Sequence, residues 1–321
     1  MSETVIRTMS EDEAEALLDL LESAFGFRKL FERYLSEGLF RSEDTLLATR
    51  EGRRLACVQL CFKRIALRGE TIPIAGIGSV GTAPEARRQG LATRLLEYAL
   101  ERIADSGAAL VLLFTGLHGF YGRLGFHPLP QRRWRLRRPR PLPNLPHGSF
   151  ERDADADDLL RVMELYASYC RGFEASTLRD AAYWSAQLRY AGGPGERFRL
   201  VERRGIPVAY ARLIEENGYQ AVIEFARAPD AAEELAALLC AMAPTDGGLL
   251  LPATPDLELE QALALVTPGL AEWMDPSPLW RVVDAEPLRR LEDVPANADD
   301  AALLAATVGG PRSVYWPSDR F

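Results

Sequence analysis

The 321-residue chain has almost no lysine: Lys29 and Lys63 are the only two, so nearly all of its 38 Lys and Arg residues are arginine. Histidine is as scarce, with His118, His127 and His147, and none stands at zinc-ligand spacing from the four cysteines. Cys57 and Cys61 lie four apart on one predicted strand, while Cys170 and Cys240 sit alone on predicted helices. These thiols read as reduced and buried, and no metal site is expected. No apolar run is long enough to cross a bilayer, so no membrane partner is expected. The amino terminus, MSETVIRTMSEDEAEALLDLL, is acidic where a signal peptide is basic and lacks a small-residue cleavage site, so the expected location is cytoplasmic. A net charge of −8 argues against a general nucleic-acid binder and favours cationic partners through long-range attraction.

The remaining composition, 47% hydrophobic and 26% charged, is that of a globular protein long enough for two cores. Ser10 and Glu13 form a capping-box pair ahead of a helix to about Phe25, with Leu17, Leu20 and Leu21 on its apolar face. A short helix over Arg28 to Ser36 follows. Thr45 to Thr49, Leu55 to Phe62 and Ile72 to Thr82 then read as a strand meander with turns at Gly52 and Gly69. Leu91, Leu95, Leu96, Ala99 and Ile103 give one helical face over Gly90 to Ala104, and Ala109 to Phe114 is a continuous apolar run. Strand, helix and strand in this spacing predict a right-handed βαβ unit.

Prolines gather over Pro139 to His147, which marks a linker at 139–149. Just before it, QRRWRLRR (131–138) suits a half-buried strand with a solvated arginine face better than a nucleic-acid patch, and no nucleic-acid partner is expected. After the linker, a helix over Asp157 to Cys170 and strands near Phe198 to Glu202, Val208 to Ile214 and Ala221 to Phe225 repeat the first meander, as a worn internal duplicate.

The most informative stretch is SVGTAPEARRQGLAT (79–93), followed by FTGLHGFYGRLGF (114–126). Arg87-Arg88-Gln89-Gly90-Leu91-Ala92 lies between a strand and a helix. Such a helix head offers unpaired N–H groups and partial positive charge to an anion. Gly90 and Ala92 allow close approach to the backbone. Parallel neighbouring strands emerge at one edge, so this loop and Tyr121 are expected to face one cleft.

These residues resemble the GNAT acetyltransferases, whose pyrophosphate loop reads Gln/Arg-x-x-Gly-x-Gly/Ala. Within them the stretch is most similar to the enhanced intracellular survival (Eis) acetyltransferases, through Thr82-Ala83-Pro84, Arg87-Arg88-Gln89-Gly90-Leu91 and Tyr121-Gly122-Arg123-Leu124-Gly125-Phe126. The resemblance implies an α/β fold with an α+β mixed sheet: tandem GNAT-like domains, the second degenerate, and a short C-terminal segment. The expected domains are 1–138 (catalytic), 150–245 (degenerate) and 246–321, a C-terminal region whose tail docks at the active site.

Acetyl-CoA is the implied cosubstrate, held by Val80, Thr82, Arg87, Arg88, Gln89, Gly90, Leu91, Ala92 and Thr93. Tyr121 is the implied general acid for the departing thiolate, because a tyrosine near pKa 10 matches an alkyl thiol in proton affinity. His118 reads as a surface residue. The segment Ile72 to Thr82 contains no acid to serve as base, and the family ends in an aromatic residue whose carboxylate enters the active site. Phe321 is therefore the second catalytic candidate. The expected function is N-acetylation of a primary amine on a cationic small molecule, aminoglycoside-like or a polyamine. A peptide or protein lysine acetyltransferase and a non-catalytic CoA-binding module stand as alternatives, and a homo-oligomer is left open. Two departures qualify the resemblance: the duplicate has Ala226-Arg227-Ala228-Pro229-Asp230-Ala231 with no glycine, so it should not bind CoA, and the chain is short for the family.

Overall fold

The Ser10 N–H and hydroxyl both donate to the Glu13 carboxylate, at 2.9 and 2.8 Å, and open the first helical segment as the capping residues predict. The computed structural model describes residues 3–319 apart from 37, 39–40, 191–195, 217, 268 and 296. Two compact units emerge, one built on Met1–Leu129 with Ser277–Ala306 and the other on Pro130–Pro276 with Thr307–Asp319. No helix among the described residues is long and apolar enough to cross a membrane.

In unit one, β1 (Val5–Thr8) precedes α1 (Ala14–Phe25) and α2 (Arg28–Ser36). The meander is β2 (Thr45–Arg50), β3 (Arg53–Leu67) and β4 (Glu70–Thr82), antiparallel throughout. The crossover helix α3 (Leu91–Asp105) buries the expected face, Leu91, Leu95, Leu96, Ala99 and Ile103. It leads to β5 (Leu110–Phe114), which is buried along most of its length and parallel to β4. A short α4 (His118–Gly122) and β6 (His127–Pro128) end this stretch.

The chain enters unit two earlier than the proline count suggests. β7 (Gln131–Leu136), expected inside the first domain, instead buries Trp134 and Leu136 in the core of unit two. Its arginine face is also not wholly solvated: Arg133 is buried and pairs with Asp275 at 3.2 Å. The segment expected as an interdomain linker lies within unit two, between β7 and β8 (Ser149–Asp153). There follow α5 (Leu159–Cys170), α6 (Ala181–Tyr190), β9 (Arg197–Arg203), β10 (Ile206–Glu216), β11 (Tyr219–Arg227) and α7 (Ala232–Met242). β12 (Leu249–Pro252), α8 (Leu257–Val266) and β13 (Leu270–Asp275) complete the unit. Its sheet runs β13-β7-β12-β11-β10-β9-β8.

Residues 246–321 are thus not a separate region. After closing the second sheet, the chain returns to unit one as β14 (Pro278–Val282), which lies between β5 and β6 and gives the order β1-β2-β3-β4-β5-β14-β6. Leu279 and Trp280 are buried there, and this apolar demand explains why a strand so distant in sequence joins this sheet. Two short helices, α9 (Glu286–Arg289) and α10 (Asp300–Ala306), follow. Thr307–Asp319 then belongs to unit two again.

Candidate active site

Within unit one, β4 and β5 pair over three residues only, Ile74↔Leu110, Ala75↔Val111 and Gly76↔Leu112. Beyond Gly76, β4 stays with β3 as far as Ala56↔Thr82, while β5 stays with β14 as far as Pro278↔Phe114. The sheet therefore opens at its parallel pair. A bulge helps it to open: Gln59 faces Gly78 but Cys57 faces Gly81, so Ser79 and Val80 together oppose Val58. Ser79 has φ +49°, and its carbonyl accepts from the Cys57 thiol at 3.3 Å. Gly81 is needed for packing, since a Cβ there would meet Cys57 Sγ and Phe25 at 3.2 Å. The parting leaves the Ile77-to-Thr82 edge of β4 without a ladder partner on its β5 side, so peptide groups there are available to a ligand.

The loop from β4 to α3 lies at the same end of β4. Its backbone turns left-handed twice, at Arg88 (φ +60°) and at Gly90 (φ +75°), the residue that caps α3. Open space surrounds a Cβ built on Gly90, so glycine is required there by backbone conformation. The first i→i−4 bond of α3 is Arg94 N–H to Gly90 C=O at 3.1 Å, which leaves the N–H groups of Leu91, Ala92 and Thr93 ahead of it without helical acceptors. Left-handed turns followed by a helix head form a concave set of N–H groups suited to an anion.

Side chains of this loop divide by role. Arg87 ties it down, with Nε to the Thr82 carbonyl at 3.3 Å and Nη2 to the Ala24 carbonyl at 3.5 Å. Gln89 donates to the Glu85 carbonyl at 3.2 Å and accepts from Arg50 at 3.2 Å. Arg88 is exposed, and its guanidinium has no partner among the described residues. Val80 and Thr82 are half-buried at the end of β4.

Tyr121 lies on α4, which follows β5. It is 6% exposed and packs in one cluster with Val80, Leu91, Leu113 and Phe126. Its ring meets Phe120 and Phe126 edge-on at 4.9 and 5.9 Å. Burial pushes its hydroxyl up to about 12, and that hydroxyl has no hydrogen-bond partner among the described residues. His118, three residues earlier, is half-buried at the start of α4.

The structure thus brings Val80, Leu91 and Tyr121 into one cluster and places Thr82 and Arg87 to Thr93 at the same end of β4. Phe321 lies outside the described residues. Tyr315 and Trp316, whose aromatic character suggests a tail docked at the active site, are instead buried, and Trp316 packs in the core of unit two. The bulge at Ser79 and the packing of Phe25 on Gly81 escape a reading of residue types. Their one sequence signal is the glycine spacing Gly76, Gly78, Gly81.

The acetyltransferase (GNAT) domain family matches residues 5–129. Over 66 residues the chain is 41% identical to the N-acetyltransferase Eis of Mycobacterium bovis, a match covering 20% of this chain and only 16% of that protein. A GCN5-related N-acetyltransferase from Kribbella flavida shares the fold with TM-score 0.70 and 18% identity, over 90% of this chain and 74% of that one. Eis1 from Mycobacterium abscessus does so with TM-score 0.65 and 17% identity, over 95% and 81%. Residues 5–129 are thus similar to the GNAT acetyltransferase domain, a short stretch is similar to Eis, and the fold is shared with solved GNAT proteins, while the chain spans only a small part of the length of the curated Eis relatives it matches.

Proposed function

We propose that this chain is an acetyl-CoA-dependent N-acetyltransferase acting on a primary amine of a cationic small molecule, aminoglycoside-like or a polyamine. The observation that carries this reading is a parallel pair, β4 and β5, that parts beyond Gly76, with the Arg88 to Thr93 helix head after one strand and Tyr121, whose hydroxyl has no partner among the described residues, after the other. The diphosphate of acetyl-CoA fits those N–H groups, with Arg88 free to add a charge-assisted bond. Acetyl-CoA supplies the acetyl group as a thioester. Tyr121 holds a proton on its hydroxyl for the departing sulfur, and edge-on contacts with Phe120 and Phe126 hold its ring in place. The Ile72 to Thr82 strand carries no acid, so we assign the attraction and deprotonation of the acceptor ammonium to the terminal carboxylate of Phe321. The net charge of −8 favours the approach of such acceptors.

The test is thiol release from acetyl-CoA with aminoglycosides, linear polyamines and lysine peptides in parallel. Turnover with small cations supports the proposal, and turnover confined to peptides replaces it with a lysine acetyltransferase. Tight CoA binding with no release from any amine makes the chain a CoA-binding module.

A further inference from the structure

Strand alternation on β14 puts a cation where the core of unit one expects an apolar group. Leu279 belongs to that core and Val283, just past the strand, packs against it, and Arg281 stands between them at the same period of two. Opposite Arg281 on β5 is Val111, also in the core. Arg281 is half-buried there. Its only hydrogen bond among the described residues, out of five N–H donors, runs from Nη1 to the Leu124 carbonyl at 2.8 Å, and no carboxylate lies within ion-pairing distance. Burial pushes the guanidinium below its ordinary value, and the charge of Asp300 on α10 counters this only in part. A core-facing cation of this kind carries a desolvation cost that a counter-ion would lessen.

Arg281 lines a cavity of about 490 Å³ within unit one, a size that suits a small molecule. From α3, Glu97, Leu100 and Glu101 line it at helical spacing. Arg123 and Leu124, just after α4, line it as well. Two acids and two arginines thus share one cavity, yet no ion pair joins them among the described residues. Opposite charges that line a cavity without touching leave room for a ligand that carries both signs. A simple anion would be repelled by Glu97 and Glu101, and a simple cation by the arginines. Buried Leu100 and half-buried Leu124 add an apolar surface.

We propose that this cavity binds a small zwitterion, an α-amino acid with an apolar side chain. Its carboxylate pairs with Arg281 and Arg123, its ammonium with Glu97 or Glu101, and its side chain lies on Leu100 and Leu124. The site does not depend on the acetyl-CoA reading. Glu97 is about 9 Å along α3 from Leu91 at the helix head, and none of these residues has a part in holding CoA.

Titration calorimetry of the full chain with L-leucine and L-phenylalanine tests the proposal. At least one should bind with a Kd of about 1 mM or tighter. Leucinamide, which lacks the carboxylate, and isocaproate, which lacks the ammonium, should bind about 10-fold more weakly or worse. If neither amino acid binds up to about 10 mM, the proposal is overturned. Isocaproate or inorganic phosphate binding as tightly as the amino acid makes this a plain anion site and overturns the zwitterion assignment. Loss of the amino-acid signal in CoA-saturated protein places that signal in the CoA site and overturns the proposal too. Arg281→Met locates the binding, because it keeps a long side chain and suits a core-facing position. This variant should melt no lower than the wild type, bind CoA as before and lose amino-acid affinity about 10-fold or more. A lower melting temperature with unchanged amino-acid affinity makes Arg281 structural and sinks the idea. Should Arg281→Met fail to fold, Arg123→Ala at an exposed position takes over, and it must weaken the amino acid without weakening CoA.

Discussion

Tyr121 and Cys57 lie in one packed cluster, and burial pushes the phenol and the thiol each up to about 12. The buried thiol is an internal gauge. In the proposed mechanism a CoA thiolate released into a similarly desolvated site would likewise be raised, which narrows the gap between it and the Tyr121 phenol. In the proposed role Tyr121 acts in its protonated form, and burial, which pushes it up to about 12, keeps that form across the assay range. The kcat/KM should accordingly rise with pH as the acceptor ammonium ionises, with no fall belonging to Tyr121 below about pH 11. A descending limb centred near pH ~9 that disappears in Tyr121→Phe would contradict this. The same variant should lose roughly 10²-fold or more in kcat while binding CoA normally.

The two loop arginines predict different defects. Arg88 has no partner among the described residues, so Arg88→Ala should weaken CoA binding about 10-fold or more, the range of a hydrogen bond to a charged group, and should make it less sensitive to salt. Arg87 braces the loop against the Thr82 and Ala24 carbonyls. Arg87→Ala should cost less affinity and show its effect in faster amide exchange of the loop. Gly90→Val places a β-branched residue at φ +75°, where it is strained whatever the free space. Calorimetry should find one CoA per wild-type chain and severely weakened binding in Gly90→Val; two sites, or unchanged affinity, would remove this loop from the assignment.

How far the sequence reached can be judged from particular elements. The βαβ unit was legible because Leu91 to Ile103 repeat at helical period and Ala109 to Phe114 are uniformly apolar, both local signals. Gly90 was picked out for close approach of a ligand to the backbone, whereas the structure requires glycine there for its left-handed cap at φ +75°. The domain boundary was not. β7 joins unit two by pairing with β12 and β13, and a proline cluster within a unit looks the same as one between units. β14 pairs with β5 from far along the chain, and no local pattern names its partner. Arg133 reads as solvated until Asp275, 142 residues away, is placed beside it.

Unit two should carry its own acid sensitivity. Burial alone would raise the Glu224 carboxyl, but the charges of Arg179 and Arg212 outweigh it and hold the group down at about 2. A depressed carboxyl contributes stability that is complete above its ordinary value of 4.5 and is lost as pH falls from there towards about 2. Glu224→Gln leaves the buried Arg179 and Arg212 under-compensated, which should cost about 3–5 kcal/mol at neutral pH. Urea unfolding of both proteins at pH 7, 4 and 3 checks the sign. The gap should be largest at pH 7 and should narrow below pH ~4.5; a gap that stays constant or widens in acid would show that Glu224 is not the group responsible.

The terminal carboxylate is the most specific expectation. The burial of Tyr315 and Trp316 accounts for two of the tail's aromatic residues without reference to any active site, so the case for Phe321 rests on chemistry. A base or ammonium-attracting group is needed, and Ile72 to Thr82 has none. An α-carboxylate with an ordinary pKa of about 3.5 is a weak base in water, but it becomes stronger where it is partly desolvated, and it attracts a cation in either case. Deleting Phe321 shortens the chain by one residue and moves the carboxylate by about 3.5 Å; adding a few residues after it removes the carboxylate from position 321 while keeping the ring. If the carboxylate acts, both proteins should lose about 10²-fold or more in kcat, bind CoA as before and melt as before. If Phe321 serves only as an apolar plug, the extended chain, which retains the ring, should turn over at a near-normal rate while the deletion is impaired, and that divergence would take the carboxylate out of the mechanism.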